Sequence, residues 1–159
     1  MEDIYGDFWQ VFLEETGTEP TNLVSRYTYF GTDEEESVTA LEQLLSGEKT
    51  ALSHCVPDYL TTKRPMPRIG DYTMVTDFYG NPCCIVRAVD VTIAPLPEIP
   101  EALIQAECPG MDRETWLLKK QEEYEALAKR GGFHFHAENP VLMEQVQVVY
   151  PVKTEGGQV

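Results

Sequence analysis

The chain has 159 residues, 42% of them hydrophobic and 25% charged, which is enough for one domain with a real core and too few for two ordinary ones. A formal net charge of -15 with histidine neutral gives a surface that repels a long polyanion, excluding broad binding of long double-stranded nucleic acid but not of one nucleotide or a short strand. No apolar run approaches the roughly 20 residues of a membrane helix, and the acidic start Met1-Glu2-Asp3-Ile4-Tyr5-Gly6-Asp7 is unlike a signal peptide, so a cytoplasmic location without a membrane partner is expected.

From the N-terminus, Ile4, Phe8, Val11 and Phe12 recur at helical spacing, Trp9 and Leu13 widen the stripe, and Glu14-Glu15-Thr16-Gly17 ends it, which predicts a docking helix. Thr18-Glu19-Pro20-Thr21-Asn22 reads as loop. Arg26-Tyr27-Thr28-Tyr29-Phe30-Gly31 is a short aromatic segment, suited either to core packing or to stacking a base. A firm helix follows: Thr32 and Glu35 have capping-box spacing, Val38, Leu41, Leu44 and Leu45 share a face, and Gly47 suits a left-handed cap. Lys49 then opens a short strand that runs to His54. Its side chain is either a solvated lysine after a helix or an ammonium held in a cleft.

The stretch through Pro57, Lys63, Arg64, Pro65, Pro67 and Arg68 predicts a long polar connection, because three prolines forbid a central strand. Its basic residues suit a solvated loop or a phosphate-facing edge. The clearest β signal is Tyr72-Thr73-Met74-Val75-Thr76-Asp77-Phe78, a turn at Tyr79-Gly80-Asn81-Pro82, and a long run from Cys83 to Ile93, an antiparallel hairpin. Cys83 and Cys84 are adjacent and read as reduced fillers, and the four cysteines have neither C-x-x-C spacing nor the density of a disulfide scaffold.

After the proline-rich stop 94–100, residues 101–107 read as a short helix broken by Cys108-Pro109-Gly110. Asp112 caps a longer helix with Trp116, Leu117, Tyr124 and Leu127 on its apolar side, Lys119, Lys120, Lys129 and Arg130 on a solvated basic side, and Gly131-Gly132 as its stop. Phe133-His134-Phe135-His136 alternates like an edge strand. An H-x-H pair suits a metal, but no third ligand is evident nearby, and no metal or other cofactor is expected. Residues 142–150 alternate as a closing strand, with Gln145 and Gln147 on its wet side, and 153–159 read as a flexible tail.

The order of these elements and several motifs resemble the ASCH family, small relatives of the PUA-like β-barrels associated with RNA, in its longer bacterial-type members. The carrying residues are Tyr29-Phe30-Gly31, Gly47-Glu48-Lys49-Thr50-Ala51, Pro67-Arg68-Ile69-Gly70-Asp71 and Gly80-Asn81-Pro82-Cys83-Cys84-Ile85, supported by Trp116 and Val148-Val149-Tyr150. The resemblance implies an α+β fold, a small mixed or antiparallel PUA-like β-barrel flanked by α-helices. Residues 1–25 would be a helical extension packed on the barrel and 26–152 the ASCH domain.

Some relatives are amidohydrolases on acylated cytidine with a G-x-K-x-x-T pattern, the threonine serving as nucleophile and the lysine as its base. That pairing is chemically sound, because a hydroxyl needs a neighbour to take its proton. Here the threonine position is Leu52, so the mechanism does not transfer as it stands, and Ser53 is displaced to the other face of a regular strand. At 107–112 only Glu107, Gly110 and arguably Asp112 match the family's E-G-E-G-D run. The resemblance therefore implies a cleft for an RNA-derived or nucleotide-like ligand, lined by Tyr29, Phe30, Gly31, Gly47, Lys49, Ser53 and Trp116. Lys49, Ser53 and Glu107 are the candidate catalytic groups if the protein is instead a hydrolase, whether amidohydrolase or ribonuclease. An acidic protein-interaction or regulatory domain is the third reading, and a homodimer is an open expectation.

Overall fold

The computed structural model describes residues 3–19 and 26–152. Residues 20–22 of the loop expected at 18–22 and the tail expected at 153–159 lie outside the described residues. In chain order the elements are α1 (Ile4–Thr16), β1 (Tyr27–Thr28), α2 (Glu34–Ser46), β2 (Ala51–Cys55), α3 (Val56–Thr62), β3 (Tyr72–Thr76), β4 (Pro82–Pro95), a 3-10 turn (Leu96–Glu98), α4 (Glu101–Glu107), α5 (Arg113–Gly131) and β5 (Pro140–Tyr150). The strands form one mixed five-stranded sheet in the order β1-β3-β4-β5-β2. The sheet is open rather than the expected closed barrel. Closure needs end strands that can pair along their length, and β1 is a two-residue strand already paired parallel to β3. No helix among the described residues is long and apolar enough to cross a membrane.

Two compact units divide the chain. The first contains the residues up to Gly47, Gly70–Ala88 and the chain from Gln147 onward. In it Asp3 caps α1 by accepting from the Gly6 amide at 2.9 Å, and Trp9 and Phe12 on the buried face of that helix pack with Met74 and Ile85. Phe12 adds ring contacts to Tyr72 and Tyr150. The cap of α2 sits one residue later than expected. Asp33, in extended backbone, accepts from the Glu36 amide at 2.8 Å, while the Glu36 carboxylate reaches back to the Thr32 amide at 2.8 Å. Leu41 and Leu44 are buried as expected, and Ser37, not Val38, joins them. Gly31 is required here: its φ is +80°, and a Cβ would lie 2.6 Å from Glu36 Cβ. The β3–β4 hairpin forms as expected, its turn tied by Asp77, which accepts from the amides of Tyr79 and Asn81, both at 2.9 Å.

The second unit contains Glu48–Ile69 and Val89–Val146. Here β2 pairs antiparallel with β5, Ala51 opposite Gln145 through Cys55 opposite Val141. Immediately after β2 the chain forms α3 where a polar connection was expected. Pro57 lies in its first turn, where a missing N–H costs nothing, and Lys63 at φ 58° stops it. Ala51, Cys55, Val141 and Met143 from the ribbon pack with Ile104, Trp116, Tyr124 and Ala128 from α4 and α5 in one core. The expected edge strand at 133–136 is absent: Phe135 is drawn into that core against Tyr124, ring centroids 5.3 Å apart, and the chain turns as Asn139 Oδ1 accepts from the His136 amide at 2.7 Å.

Candidate functional site

The site is assembled where α4 ends. Cys108-Pro109-Gly110 cannot continue the helix, so the last carbonyls of α4 lack intrahelical partners. Two of them are used by the segment that leads into β2: the Thr50 amide donates to the Ala106 carbonyl at 2.7 Å, and Lys49 Nζ donates to the Glu107 carbonyl at 2.8 Å. Val146 in β5 donates its amide to the Thr50 carbonyl at 2.9 Å, fixing the approach from the other side. Lys49 is thereby drawn in to 6% exposure, so the solvated reading of this lysine does not hold.

The Glu107 side chain is the hub. Its Oε1 accepts from Trp116 Nε1 at 2.7 Å, and its Oε2 accepts from Lys120 Nζ at 2.8 Å and, in a very short contact, from the Ser53 hydroxyl. Trp116, Lys120 and Tyr124 recur every fourth residue on α5 and so share one face. Lys120 is therefore buried at 6% exposure rather than part of a solvated basic side, and Glu107 is buried beside it at 5%. Trp116 is fully buried with its one donor committed, so its part is to hold Glu107, not to stack a base. The Tyr124 hydroxyl is buried beside Ser53 without a hydrogen bond of good geometry.

Charge follows from this packing. Burial alone pushes the Glu107 carboxyl up, but the charges of Lys120 and Lys49, with the hydrogen bonds from Lys120 and Ser53, outweigh it and hold the pKa at about 2. Burial likewise works against the Lys120 charge, and Glu107 reverses it, holding that ammonium well above the ordinary lysine value. For Lys49 burial wins over the pull of Glu107, and its pKa is lowered. A carboxylate so strongly held in its ionised form is a weak base, and it takes no proton from an alcohol such as Ser53.

Lys49, Ser53, Glu107 and Trp116 are thus brought together within the second unit, with Lys120 as a member the sequence reading left outside. Tyr29, Phe30, Gly31 and Gly47 belong to the first unit. There Tyr29 is 56% exposed with its ring edge-on to Phe78, Gly31 supports the entry to α2, and Gly47 is the left-handed cap of that helix. Leu52 is buried and lies on the strand face opposite Ser53. The turn from α4 to α5 forms a concavity of about 310 Å³ lined by Pro109, Gly110, Met111, Asp112 and Thr115. Among the described residues no group of three or more His, Cys, Asp or Glu side chains is placed to hold a metal ion.

An open mixed sheet with five helices and a buried lysine–glutamate centre defines a small α+β domain. The chain belongs to the ASCH-domain family, whose model matches residues 26–150. It is similar in fold to an ASCH domain from Lactobacillus crispatus JV V101, with a TM-score of 0.76 and 23% identity, covering 89% of this chain and 93% of that one. It is also similar to protein EF3133 from Enterococcus faecalis V583, with a TM-score of 0.81 and 21% identity, covering 90% of this chain and 86% of that one. Among curated proteins none is significantly similar to the chain.

Proposed function

We propose that this ASCH domain is a binding module for a nucleotide-like or short RNA-derived ligand, recognised at the centre built on Lys49, Lys120 and Glu107. The observation that carries the reading is that two buried ammonium groups converge on one glutamate. Such a cluster favours an electron-rich group, a phosphate or a base carbonyl, brought against it. Ser53, half-buried, supplies a hydroxyl at its edge. The α4–α5 turn, formed by the residues between Glu107 and Trp116, carries an open concavity lined by Pro109, Gly110, Met111, Asp112 and Thr115.

The hydrolase reading has one observation in its favour, the lowered pKa of Lys49, which moves an amine toward the range of a general base. Against it, the residue three after Lys49 is a buried leucine, and the nearby Ser53 hydroxyl is engaged by a carboxylate that does not activate it. The test is a thermal-shift screen with nucleoside monophosphates and short oligoribonucleotides, run beside a turnover assay on acylated cytidine. The expected result is a shift lost in Lys49→Ala and no turnover. Turnover that disappears in Lys49→Ala would establish the hydrolase instead, and ligand shifts unchanged by the substitution would end the binding reading.

A further inference from the structure

The β2–β5 ribbon carries a second polar cluster on its other face. Side chains alternate along a strand, so His54 faces away from Ser53 and the Glu107 hub. The register sets Leu52 opposite Glu144 and His54 opposite Leu142, which makes His54 and Glu144 diagonal neighbours. His54 Nε2 lies 2.8 Å from Glu144 Oε1, and the Tyr59 hydroxyl of α3 lies 3.0 Å from His54 Nδ1. Glu144 is 1% exposed, and its second oxygen, Oε2, is buried with no hydrogen-bond partner.

In the Nε2–H tautomer the ring donates to Glu144 Oε1, the Nδ1 lone pair faces α3, and the Tyr59 O–H donates to it. The imidazole is thus presented as a proton acceptor to a phenol, oriented from behind by a carboxylate with spare acceptor capacity. On the phenol's own side the Arg64 guanidinium sits 4.4 Å from the ring centroid, in cation–π contact. Arg64 is itself held by the Asp58 carboxylate and by a 2.9 Å bond to Thr62 Oγ1. Tyr59 is half-buried on the short helix α3.

We propose that Tyr59, His54 and Glu144 form a second chemical centre in which Tyr59 is a nucleophilic phenol that takes acyl groups from activated acyl donors. In the step, the Tyr59 oxygen bonds to the acyl carbonyl carbon and its proton passes to His54 Nδ1. The bond from that carbon to the leaving group breaks with its electron pair, and the leaving group receives the proton from His54. Glu144 is a positioning residue, acting through the ring.

The test uses the full folded chain and N-acetylimidazole at neutral pH, with the acetylation rate of each tyrosine read by peptide mass spectrometry. Tyr59 is expected to react about tenfold faster than Tyr29 in the same molecule, although Tyr29 is the more exposed, because a positioned base accelerates proton removal. His54→Gln and Glu144→Gln should each abolish that preference without changing the rate at Tyr29, and Tyr59→Phe should remove only the Tyr59 adduct. A wild-type Tyr59 no faster than Tyr29, or a preference that survives His54→Gln, overturns the proposal. Should His54→Gln fail to fold, Glu144→Gln, which keeps an acceptor oxygen and removes the charge, decides with the wild-type ratio.

Discussion

Lys120 Nζ lies 2.8 Å from Glu107 Oε2, and neither side chain is more than 8% exposed. The pair joins the middle of α5 to the end of α4, and the Lys49 ammonium reaches the same glutamate through its backbone carbonyl. An ion pair this deep is costly to break from one side, since the partner stays behind as an uncompensated charge.

Glu107→Gln should therefore be severe. It leaves the buried Lys120 ammonium facing a neutral amide and removes the nearby negative charge from Lys49, and a loss of about 3–5 kcal/mol in unfolding free energy is expected from urea denaturation. Adding Lys120→Met to it should restore a large part of that loss, because the second substitution removes the stranded charge. A Glu107→Gln protein as stable as the wild type would show that the pair is not buried in solution.

Acid should act through the same group. The folded pKa of Glu107 is depressed to about 2 from an ordinary value of 4.5, so its stabilisation is complete above about pH 4.5 and is lost as pH falls toward 2. The shift corresponds to about 3 kcal/mol. Urea midpoints measured across that window should fall more steeply for the wild type than for Glu107→Gln, and parallel curves would contradict the assignment.

Lys49 has the opposite sign. Its folded pKa is lowered, so the unfolded chain binds more protons as pH rises from that value to 10.5, and the charge on Lys49 opposes folding below it. Lys49→Met should leave the unfolding free energy at pH 7 unchanged, or raise it by up to about 1 kcal/mol, while removing ligand binding. A large loss of stability in the same denaturation experiment would make Lys49 a structural residue.

Gly31→Ala tests the first unit. The substituted residue would have to hold φ at +80° with its Cβ 2.6 Å from Glu36 Cβ, and a cost of about 1–3 kcal/mol is expected from thermal or urea unfolding. No change would mean that the entry to α2 relaxes freely.

What could be read ahead of the structure was what depends on near neighbours. The Gly80-Asn81-Pro82 turn between two β-rich runs, the stop at Cys108-Pro109-Gly110 and the Asp112 cap are local signals, and each stands where the spacing placed it. Pro57, with Pro65 and Pro67, speaks against a central strand but not against a helix, since a proline in a first turn is compatible with one. A lysine is rarely buried unpaired, which points Lys120 to the solvated side, yet its spacing of four residues from both Trp116 and Tyr124 is a usable signal for the buried face. The barrel expectation came from resemblance, and nothing local reports whether a sheet closes. His54 and Glu144 are 90 residues apart, and only the β2–β5 register brings them together.

The most direct test of the central claim is calorimetric titration of a nucleoside monophosphate such as CMP into the wild type and into Lys49→Met, each first shown to be folded by circular dichroism. Binding to the wild type that weakens by about tenfold or more in Lys49→Met, equivalent to about 1.4 kcal/mol, is the predicted result. Equal affinity for two equally folded proteins would contradict the claim that the lysine–glutamate centre recognises the ligand.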